Sequence, residues 1–382
     1  MIYYGHQHIT NEDIEAVREV LTSDFLTQGP AIERFERSVA GYCGAAYAVA
    51  VTNATAALHI ACQAAGLGKG DVLWTSPVTF VASANCARYC GADVDFVDID
   101  DKTYNMSVAA LEKKLKTAKK LPKVVVPVHL AGQSCAMQRI WELSREYGFT
   151  VIEDASHAIG GSYQNDQVGS CTYSDMTVFS FHPVKIITTG EGGMVLTNRQ
   201  ELCDALQLYR SHGITRDPSR MTRGVDEPWY YEQIALGCNY RMTDLQAALG
   251  ESQMTKLDAF VARRRQLVRR YHEKLNGLPI RTPYCLPEAN PAWHLYIVRL
   301  DLDRVKKSKQ EIFAGMKEHG VMLNLHYIPV HLQPYYRDLG FGDGDFPVSE
   351  QYYREALTLP LYYDLTDTQQ DEIIAALRDV LA

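Results

Sequence analysis

Two segments of the sequence decide the fold: TVIEDASHAIGG (150–161) and SDMTVFSFHPVKIITTGEGGMV (174–195). Each contains a run of β-branched and other apolar residues that predicts a buried strand. The first strand ends in Asp154, the second ends near Ser180, and Lys185 follows five residues later. In an open α/β sheet, the carboxyl ends of the strands line the crevice that binds ligands. We therefore expect Asp154 and Lys185 to face one ligand.

The rest of the first half alternates between strand and helix patterns. Strands are predicted at 46–52, 71–75, 93–99, 123–130 and 192–198, and helices at 55–65, 82–90 and 139–147. This alternation predicts a parallel or mixed sheet with helices on both faces, so the expected fold class is α/β.

The second half follows a different pattern. Residues 213–240, which include Gly224, form an irregular stretch that carries Gly and Pro. A capping box at Thr243 begins a helical region, which we expect to break near Gly250 and to end at about Asn276.

The C-terminal part mixes strand and helix signals. A strand is predicted at 294–300, and capping boxes at Ser308 and Thr366 each begin a helix. This pattern predicts a smaller α+β unit. We assign 1–250 to a large domain and 251–382 to a small C-terminal domain.

Composition excludes several classes of protein. Of 382 residues, 46% are hydrophobic and 22% are charged, which are ordinary values for a globular chain. The net charge of −8 provides no global positive field, so we do not expect a nucleic acid partner. The segment 38–68 has no charged residue, but polar side chains such as Asn53 and His59 interrupt it, so we expect no membrane span.

The cysteines and the first residues indicate the compartment. Nine cysteines are scattered without C-x-x-C spacing, which predicts buried thiols in a reducing compartment. Neither paired cysteines nor an H-E-x-x-H motif is present, so we expect no metal site. The segment MIYYGHQHITNEDIE (1–15) lacks a secretory pattern, and we therefore expect a cytoplasmic protein.

Pyridoxal phosphate is a ligand that needs residues of this kind. A lysine forms a Schiff base with its aldehyde, and a carboxylate pairs with its ring nitrogen so that the ring withdraws electrons. Its phosphate prefers hydroxyl groups and the backbone N–H groups at the start of a helix. The predicted helix near Thr55 offers such a start, Ser180 offers a second hydroxyl, and Phe80 offers an aromatic ring.

The same residues also have purely structural interpretations. Asp154 could cap a following helix, and Lys185 could be a solvated loop lysine. Phe80 could belong to the core, and His157 could be a hydrogen-bonded polar group. The glycines within 190–193 and the apolar strands on both sides favour a ligand site. Spacing alone does not separate pyridoxal phosphate from other Schiff-base chemistry.

Several blocks of sequence occur in a familiar order: LTQGP (26–30), NATAALH (53–59), SPVTFVASAN (76–85), EDASHAIG (153–160), VFSFHPVKIITTGEGGMV (178–195), LYRSHG (208–213), NYRMTDLQAALG (239–250) and NLHYIPVH (324–331). With these blocks the chain resembles, over nearly its whole length, the DegT/StrS family of sugar aminotransferases. The resemblance implies pyridoxal phosphate as cofactor and the fold type I architecture of aspartate aminotransferase. That architecture has a large domain with a mixed, mostly parallel sheet.

Within this family, the segment FHPVKIITTGEGG (181–193), the YGHQ at 4–7 and the LTQG at 26–29 are most similar to the pseudaminic-acid pathway enzymes. Those enzymes aminate C4 of a UDP-linked 4-keto-6-deoxy-N-acetylhexosamine and use L-glutamate as amino donor. The resemblance therefore implies a nucleotide-sugar transaminase. The sequence leaves open amination at C3 and a dTDP- or GDP-linked sugar.

The resemblance also implies roles for single residues in cofactor binding. Lys185 carries the Schiff base and moves the proton, and Asp154 holds the ring nitrogen. The phosphate is bound by Thr55, the backbone at Ala54 and Ala56, and Ser180, while Phe80 stacks on the ring. Asn239 reaches the phosphate of the neighbouring subunit, which implies a homodimer with shared sites. His157 stands where many members carry Gln, and both can bond near the ring hydroxyl.

The sugar nucleotide is expected to contact segments that match those of the most similar relatives. These residues are Tyr4, Asp24, Phe25, Leu26, Thr27, Leu325, His326, Tyr327 and Ile328. His326 could instead be a group of the dimer interface.

Two other functions remain to be weighed. A family dehydratase, which removes a C3 hydroxyl, carries histidine in place of the lysine, whereas Lys185 is present here. A regulatory ligand sensor would call for an attached DNA-binding module or a lost lysine, and the sequence has neither feature.

Overall fold

The computed structural model describes residues 1–223 and 227–382, so Gly224 of the predicted irregular stretch lies outside the described residues. The helices are α1 Asn11–Leu21, α2 Pro30–Cys43, α3 Ala54–Ala64, α4 Ala82–Tyr89, α5 Val108–Thr117, α6 Met137–Tyr147, α7 Gln200–Arg210, α8 Asp244–Met254, α9 Leu257–Lys274, α10 Lys309–Glu318, α11 Pro334–Arg337, α12 Pro347–Glu355 and α13 Asp367–Leu381.

The strands are β1 Tyr47–Val51, β2 Val72–Thr75, β3 Asp93–Phe96, β4 Val124–Val126, β5 Thr150–Asp154, β6 Ser162–Tyr163, β7 Asp166–Gln167, β8 Met176–Ser180, β9 Gly193–Thr197, β10 Ile214–Thr215, β11 Glu232–Gln233, β12 Ile280–Arg281, β13 Ala289–Asn290, β14 Tyr296–Leu300 and β15 Ala356–Leu359. No helix in the described ranges is long and apolar enough to cross a membrane.

A seven-stranded sheet forms the centre of the large domain. Its strand order is β1-β9-β8-β5-β4-β2-β3. Strands β8, β5, β4, β2 and β3 run parallel, and β9 runs antiparallel to both of its neighbours. The sheet is therefore mixed and mostly parallel, as the alternating sequence pattern predicts.

Both faces of this sheet are buried under helices. In β1, Val49 and Val51 pack with α3 and α4, whereas Ala48 and Ala50 pack with α2 and α8 on the other face. This division follows from the two-residue period of a strand. The centre of the sheet is consequently dry, and its polar chemistry is confined to the strand ends.

The small domain has its own core. Strands β12, β14 and β15 form an antiparallel sheet that packs with α10, α13 and the second half of α9. Ile2 also packs in this core and bridges to Val321, so the first residues of the chain lie against the small domain.

The predicted helical break near Gly250 is wrong. Gly250 lies inside α8, and the chain breaks at Thr255–Lys256 instead. A Cβ atom at Gly250 would lie 2.5 Å from Cζ of Phe35, so the glycine allows α8 to pack closely on α2. The residue that looked like a helix breaker thus serves helix packing.

Other sequence expectations differ only at the ends of elements. The strand predicted at 123–130 ends at Val126, because Pro127 has no backbone N–H to donate. The capping boxes at Thr243, Ser308 and Thr366 are present, and each starts a helix at the next residue.

A buried carboxylate anchors the end of β5 behind the sheet. Glu153 accepts hydrogen bonds from Ser174 Oγ at 2.5 Å and Thr177 Oγ1 at 2.8 Å. The backbone N–H of Cys135 donates to Nδ1 of His129, so Nε2 of that ring carries the proton and donates to Glu153 at 2.6 Å. Burial alone would raise the pKa of Glu153, but these hydrogen bonds outweigh it and lower the pKa below 4.5.

We expect Glu153→Gln to destabilise the protein by about 2 kcal/mol at neutral pH, since hydrogen bonds to a charged acceptor are lost. The folded pKa is depressed, so this contribution is present above the unfolded pKa and is lost as the pH falls. Urea unfolding at neutral and acidic pH measures the difference. The control is Glu15→Gln, which removes an exposed pair with Arg18. Equal effects of the two substitutions would contradict the anchoring role.

Candidate active site

A cavity of about 1010 Å³ lies at the carboxyl edge of the large sheet. Loops that follow β1, β2, β5 and β8 line it, together with a segment of the small domain around residue 325. It lies where an α/β sheet places its ligand. Twelve of the residues named from the sequence line this cavity: Tyr4, Ala54, Thr55, Ala56, Phe80, Asp154, His157, Ser180, Lys185, Leu325, His326 and Tyr327.

Asp154 ends β5 and is held by two serines. Oδ2 of Asp154 accepts from Ser83 Oγ at 2.6 Å, and Oδ1 accepts from the hydroxyl of Ser156 at 2.6 Å. Ser83 in turn contacts Thr79, with 2.7 Å between the two hydroxyl oxygens. A turn rather than a helix follows Asp154, so the carboxylate does not cap a helix. It is instead a fixed anion at the cavity wall.

Lys185 lies in the loop between β8 and β9. Its backbone N–H donates to the carbonyl of His182, which closes a turn. Among the described residues its amine has no hydrogen bond or ion pair, although Asp154 is close enough to raise its pKa. Burial is the stronger effect and lowers the pKa of Lys185 to about 8. A solvated loop lysine does not fit these surroundings.

The start of α3 forms an anion-binding group. Asn53 caps the helix by accepting the N–H of Ala56 at 2.8 Å. The N–H groups of Ala54 and Thr55 precede the first intrahelical bond and face no acceptor of their own helix. With the hydroxyls of Thr55 and Ser180 at the same cavity, these groups suit a phosphate. The N–H of Ala56 already donates to Asn53, so the N–H groups of Ala54 and Thr55 are the ones that this helix start can offer to a phosphate.

Gly193 brings this helix start close to the lysine loop. A Cβ atom at Gly193 would lie 2.5 Å from the carbonyl carbon of Asn53 and 2.6 Å from the nitrogen of Ala54. No larger residue fits without moving the start of α3. The glycine cluster in the sequence therefore marks a close approach between two backbones.

His157 is held as a neutral ring. Its Nδ1 accepts the N–H of Ala131 at 3.3 Å, so Nε2 carries the proton and donates to the hydroxyl of Tyr327 at 3.2 Å. Its ring packs on His294, with 4.5 Å between the centroids. Burial, then the charge of Lys185, lowers the pKa of His157 well below its ordinary value.

His326 lies inside a single chain. It is 5% exposed, and its Nδ1 pairs with Thr358 Oγ1 at 2.9 Å. Burial and Lys185 lower its pKa to about 3, so the ring is neutral. The burial of its ring within one chain supports its assignment to the cavity wall. His326 is part of the cavity wall beside Tyr4.

Six of the residues named from the sequence do not line the cavity: Asp24, Phe25, Leu26, Thr27, Asn239 and Ile328. Asn239 is exposed and bridges to Ser211, whereas the next residue, Tyr240, does line the cavity. Phe25, Leu26 and Ile328 expose large apolar side chains.

Sequence reasoning missed Ser83, Ser156 and His294. Ser156 could have been found, because a serine two residues after an aspartate favours a local hydrogen bond. Ser83 and His294 are far from Asp154 and His157 in sequence, and no local pattern marks them. No group of three or more His, Cys, Asp or Glu side chains in the described ranges is arranged to hold a metal ion.

These residues fit pyridoxal phosphate. The amine of Lys185, which has no partner within the described part of the chain, matches the aldehyde of that cofactor. The fixed carboxylate of Asp154 matches its ring nitrogen, and the N–H groups at the start of α3 match its phosphate. The cavity is large enough for the cofactor and a second ligand.

Comparison with known proteins gives a consistent result. The model of the DegT/DnrJ/EryC1/StrS aminotransferase family matches residues 7–378. The spore coat polysaccharide biosynthesis protein SpsC of Bacillus subtilis is 38% identical over 381 residues, which cover 99% of this chain and 96% of that protein.

Solved structures agree with this match. PseC of Helicobacter pylori, an aminotransferase involved in pseudaminic acid biosynthesis, has a TM-score of 0.91 and 28% identity, and covers 100% of this chain and 99% of its own. Spr1654 of Streptococcus pneumoniae, which is named as a sugar aminotransferase, was solved in its PLP form. It has a TM-score of 0.89 and 28% identity, and covers 99% of both chains.

These findings confirm the predicted fold class, the activity class of transaminase and pyridoxal phosphate as the cofactor. The chain belongs to the DegT/DnrJ/EryC1/StrS aminotransferase family.

Proposed function

We propose that the protein transfers the amino group of L-glutamate to C4 of a UDP-linked 4-keto-6-deoxy-N-acetylhexosamine, in the biosynthesis of a nonulosonic acid such as pseudaminic acid. The observation that carries the transaminase function is that the desolvated amine of Lys185, which has no partner among the described residues, shares one cavity with the anchored carboxylate of Asp154. The likeness to PseC supports the choice of sugar. The alternative is another nucleotide-linked keto sugar, aminated at C3 or carried on dTDP or GDP.

The cofactor, when bound, supplies an aldehyde that exchanges amines and a ring that withdraws electrons. Asp154 keeps a proton on the ring nitrogen, and Ser83 and Ser156 keep the carboxylate in place. Lys185 moves a proton at the substrate carbon, for which its amine must be neutral. Burial, which lowers its pKa to about 8, makes this form accessible near neutral pH.

The remaining groups bind and orient the ligands. Thr55, Ser180 and the N–H groups at the start of α3 would hold the phosphate, and the exposed ring of Phe80, which lines the same cavity, would pack on the cofactor ring. His157 donates to Tyr327, which fixes that phenol at the cavity wall. The rings of His157 and His326 are neutral, so neither of them adds a positive charge beside Lys185.

The sugar is expected to lie on the side of the cavity formed by Tyr4, Leu325, His326 and Tyr327. The rings of Tyr4, His326 and Tyr327 and the hydroxyl groups of the two tyrosines suit a sugar better than they suit a charged amino acid chain. Asp24 to Thr27 and Ile328 lie outside the cavity of the single chain, and we assign them to the sugar-nucleotide site of the assembled dimer.

The active unit is proposed to be a homodimer with shared sites. The segment before Asn239 exposes Trp229 by 70% and Leu236 by 82%, and it also exposes Tyr231 and Ile234. A row of exposed large apolar side chains favours burial against another chain. Asn239 is exposed beside them, and an amide adds a hydrogen bond to a phosphate without adding a charged side chain.

An amination assay across nucleotide keto sugars tests the proposed function. We expect turnover with glutamate and the UDP-linked 4-keto sugar, and a loss of at least about 10⁴-fold in Lys185→Ala, because the proton carrier is removed. Borohydride should trap the cofactor on the peptide that contains Lys185. The matched control is Lys69→Ala in an exposed turn. Turnover only with C3-keto, dTDP- or GDP-linked sugars would support the alternative, and trapping on another lysine would overturn the assignment.

Asp154→Asn should keep the cofactor bound but reduce turnover by about 10²-fold or more, since the ring nitrogen loses its anionic partner. The same substitution should also change the pH dependence of cofactor binding to the cofactor-free protein, because the aldehyde reacts only with the neutral amine of Lys185. In wild type the capture rate should rise roughly tenfold per pH unit up to about pH 8 and then level off.

The direction of this pH effect follows from the charges. The negative charge of Asp154 raises the pKa of Lys185. Its removal in Asp154→Asn should therefore move the midpoint of the pH profile for cofactor binding to lower pH. Stopped-flow absorbance across pH measures the midpoint. An unchanged midpoint together with near-normal amination would argue against the pairing of Asp154 with the site. Glu15→Gln, which changes an exposed carboxylate that does not line the cavity, is the control.

The shared site is tested by complementation between Lys185→Ala and Asn239→Ala. If Asn239 acts across the dimer, one site of each mixed dimer carries both defects and the other carries neither. Re-associated mixtures should then exceed the mean activity of the two parents. Activity that only equals this mean, with subunit exchange confirmed by mass spectrometry, would disprove the shared site.

A further inference from the structure

Three thiols meet between α3 and α4, beside the cavity but outside it. Cys62 lies on α3, Cys86 lies on α4, and Cys90 follows the last residue of α4. Cys86 and Cys90 are four residues apart, so they lie on one face of α4, and this face packs on α3. Cys62 and Cys86 belong to one core cluster, and Cys90 packs against it.

The three thiols differ in exposure. Cys62 and Cys86 are fully buried, whereas Cys90 is partly exposed. The sulfur of Cys90 lies 3.9 Å from the carbonyl oxygen of His59, one turn before Cys62 on α3. The sulfur of Cys86 donates to the carbonyl of Ser83 in its own helix. A reagent in solvent therefore reaches Cys90 first, and Cys62 is the thiol across the helix contact.

The environment of Cys90 favours its reactive form. The hydrogen bond from Cys62 and the nearby ring of His59 lower the pKa of Cys90 below its ordinary value, although burial opposes them. The pKa of Cys62 is raised. The exposed thiol is thus the better thiolate, and the buried thiol remains protonated beside it.

Other cysteines provide a comparison within the chain. Cys238 and Cys285 are also partly exposed. Desolvation raises the pKa of Cys285. Among the described residues, neither of them belongs to a core cluster that contains another thiol, whereas Cys90 packs against the cluster of Cys62 and Cys86. Exposure alone therefore does not distinguish Cys90, but exposure together with a neighbouring thiol does.

We propose that Cys90 is a modification site for hydrogen peroxide and other small peroxides, and that Cys62 resolves the oxidised group as a disulfide between α3 and α4. The thiolate of Cys90 attacks one peroxide oxygen, the O–O bond breaks, and water leaves after protonation, which yields a sulfenic acid. The thiol of Cys62 then attacks this sulfur, and its proton and the hydroxyl leave as a second water. Two thiols are oxidised, and one peroxide is reduced to two waters.

The disulfide would join the two helices that carry the cofactor groups. The start of α3 supplies the N–H groups of Ala54 and Thr55, and α4 supplies Ser83, whose hydroxyl holds Asp154. A disulfide between the C-terminal ends of α3 and α4 would fix the distance between the two helices. We infer that oxidation changes the affinity for the cofactor. This consequence rests on the proposed function, whereas the oxidation chemistry does not.

The experiment compares the folded wild-type protein with Cys90→Ser, Cys62→Ala and the control Cys285→Ser. Each is treated with hydrogen peroxide, and intact mass and peptide maps are recorded. Wild type and Cys285→Ser should lose two hydrogen atoms and yield a peptide pair joined through residues 62 and 90. Cys90→Ser should react at least about tenfold more slowly, and Cys62→Ala should accumulate a sulfenic acid at Cys90 that a dione reagent traps.

Equal oxidation of Cys90, Cys238 and Cys285, or a linkage that omits Cys62, would overturn the modification site. Circular dichroism confirms that each variant is folded, and Cys62→Ser replaces Cys62→Ala if the alanine variant is not. Cofactor affinity is measured by absorbance titration of the oxidised and the re-reduced wild type. A disulfide without any change of affinity would refute the link to the cofactor site and leave the transaminase proposal unaffected.

Discussion

The end of β5 is the constraint on which the site depends. Successive residues of a strand point to opposite faces, so Glu153 is buried behind the sheet while Asp154 faces the cavity. Hydrogen bonds from His129, Ser174 and Thr177 fix the first carboxylate, and those from Ser83 and Ser156 fix the second. A carboxylate that must stay ionised opposite a ring nitrogen needs such support, because burial without hydrogen bonds would favour its protonated form. Two adjacent residues at the end of β5 thus serve different purposes: Glu153 stabilises the strand end, and Asp154 presents its carboxylate to the cavity.

The contact between Gly193 and the start of α3 brings the other half of the site to this strand end. It joins the loop of Lys185 to the helix whose free N–H groups suit a phosphate. The amine of Lys185 is then surrounded by the neutral rings of His157 and His326 and has Asp154 as its nearby anion. This balance of one fixed anion against strong desolvation lowers the pKa of the amine to about 8, which suits the proton transfer proposed for it.

The sequence predicts most of the fold because the strands and helix starts carry local signals. Runs of β-branched and other apolar residues identified the strands, and hydroxyl residues three positions before Gln or Glu identified helix starts at Thr243, Ser308 and Thr366. The break near Gly250 was wrong because glycine serves there for contact with Phe35, a residue more than two hundred positions away. Asp154 and Lys185 could be named for the same local reasons. Ser83 and His294 could not, since their roles arise only when distant segments pack together.

The segment 239–241 gives the proposed dimer a simple geometric basis. Tyr240 lines the cavity of its own chain and pairs its hydroxyl with Nδ1 of His59 at 3.2 Å. The backbone is extended here, as the bridges of Asn239 to Ser211 and Arg241 to Val51 show, so neighbouring side chains point in opposite directions. Asn239 therefore points away from the cavity that Tyr240 lines. An amide that is to reach a phosphate from this position must reach one in another subunit. Because Tyr240 and Asn239 are joined by one peptide bond, a shift of this segment would move both residues. In the proposed dimer, such a shift would reach both sites together.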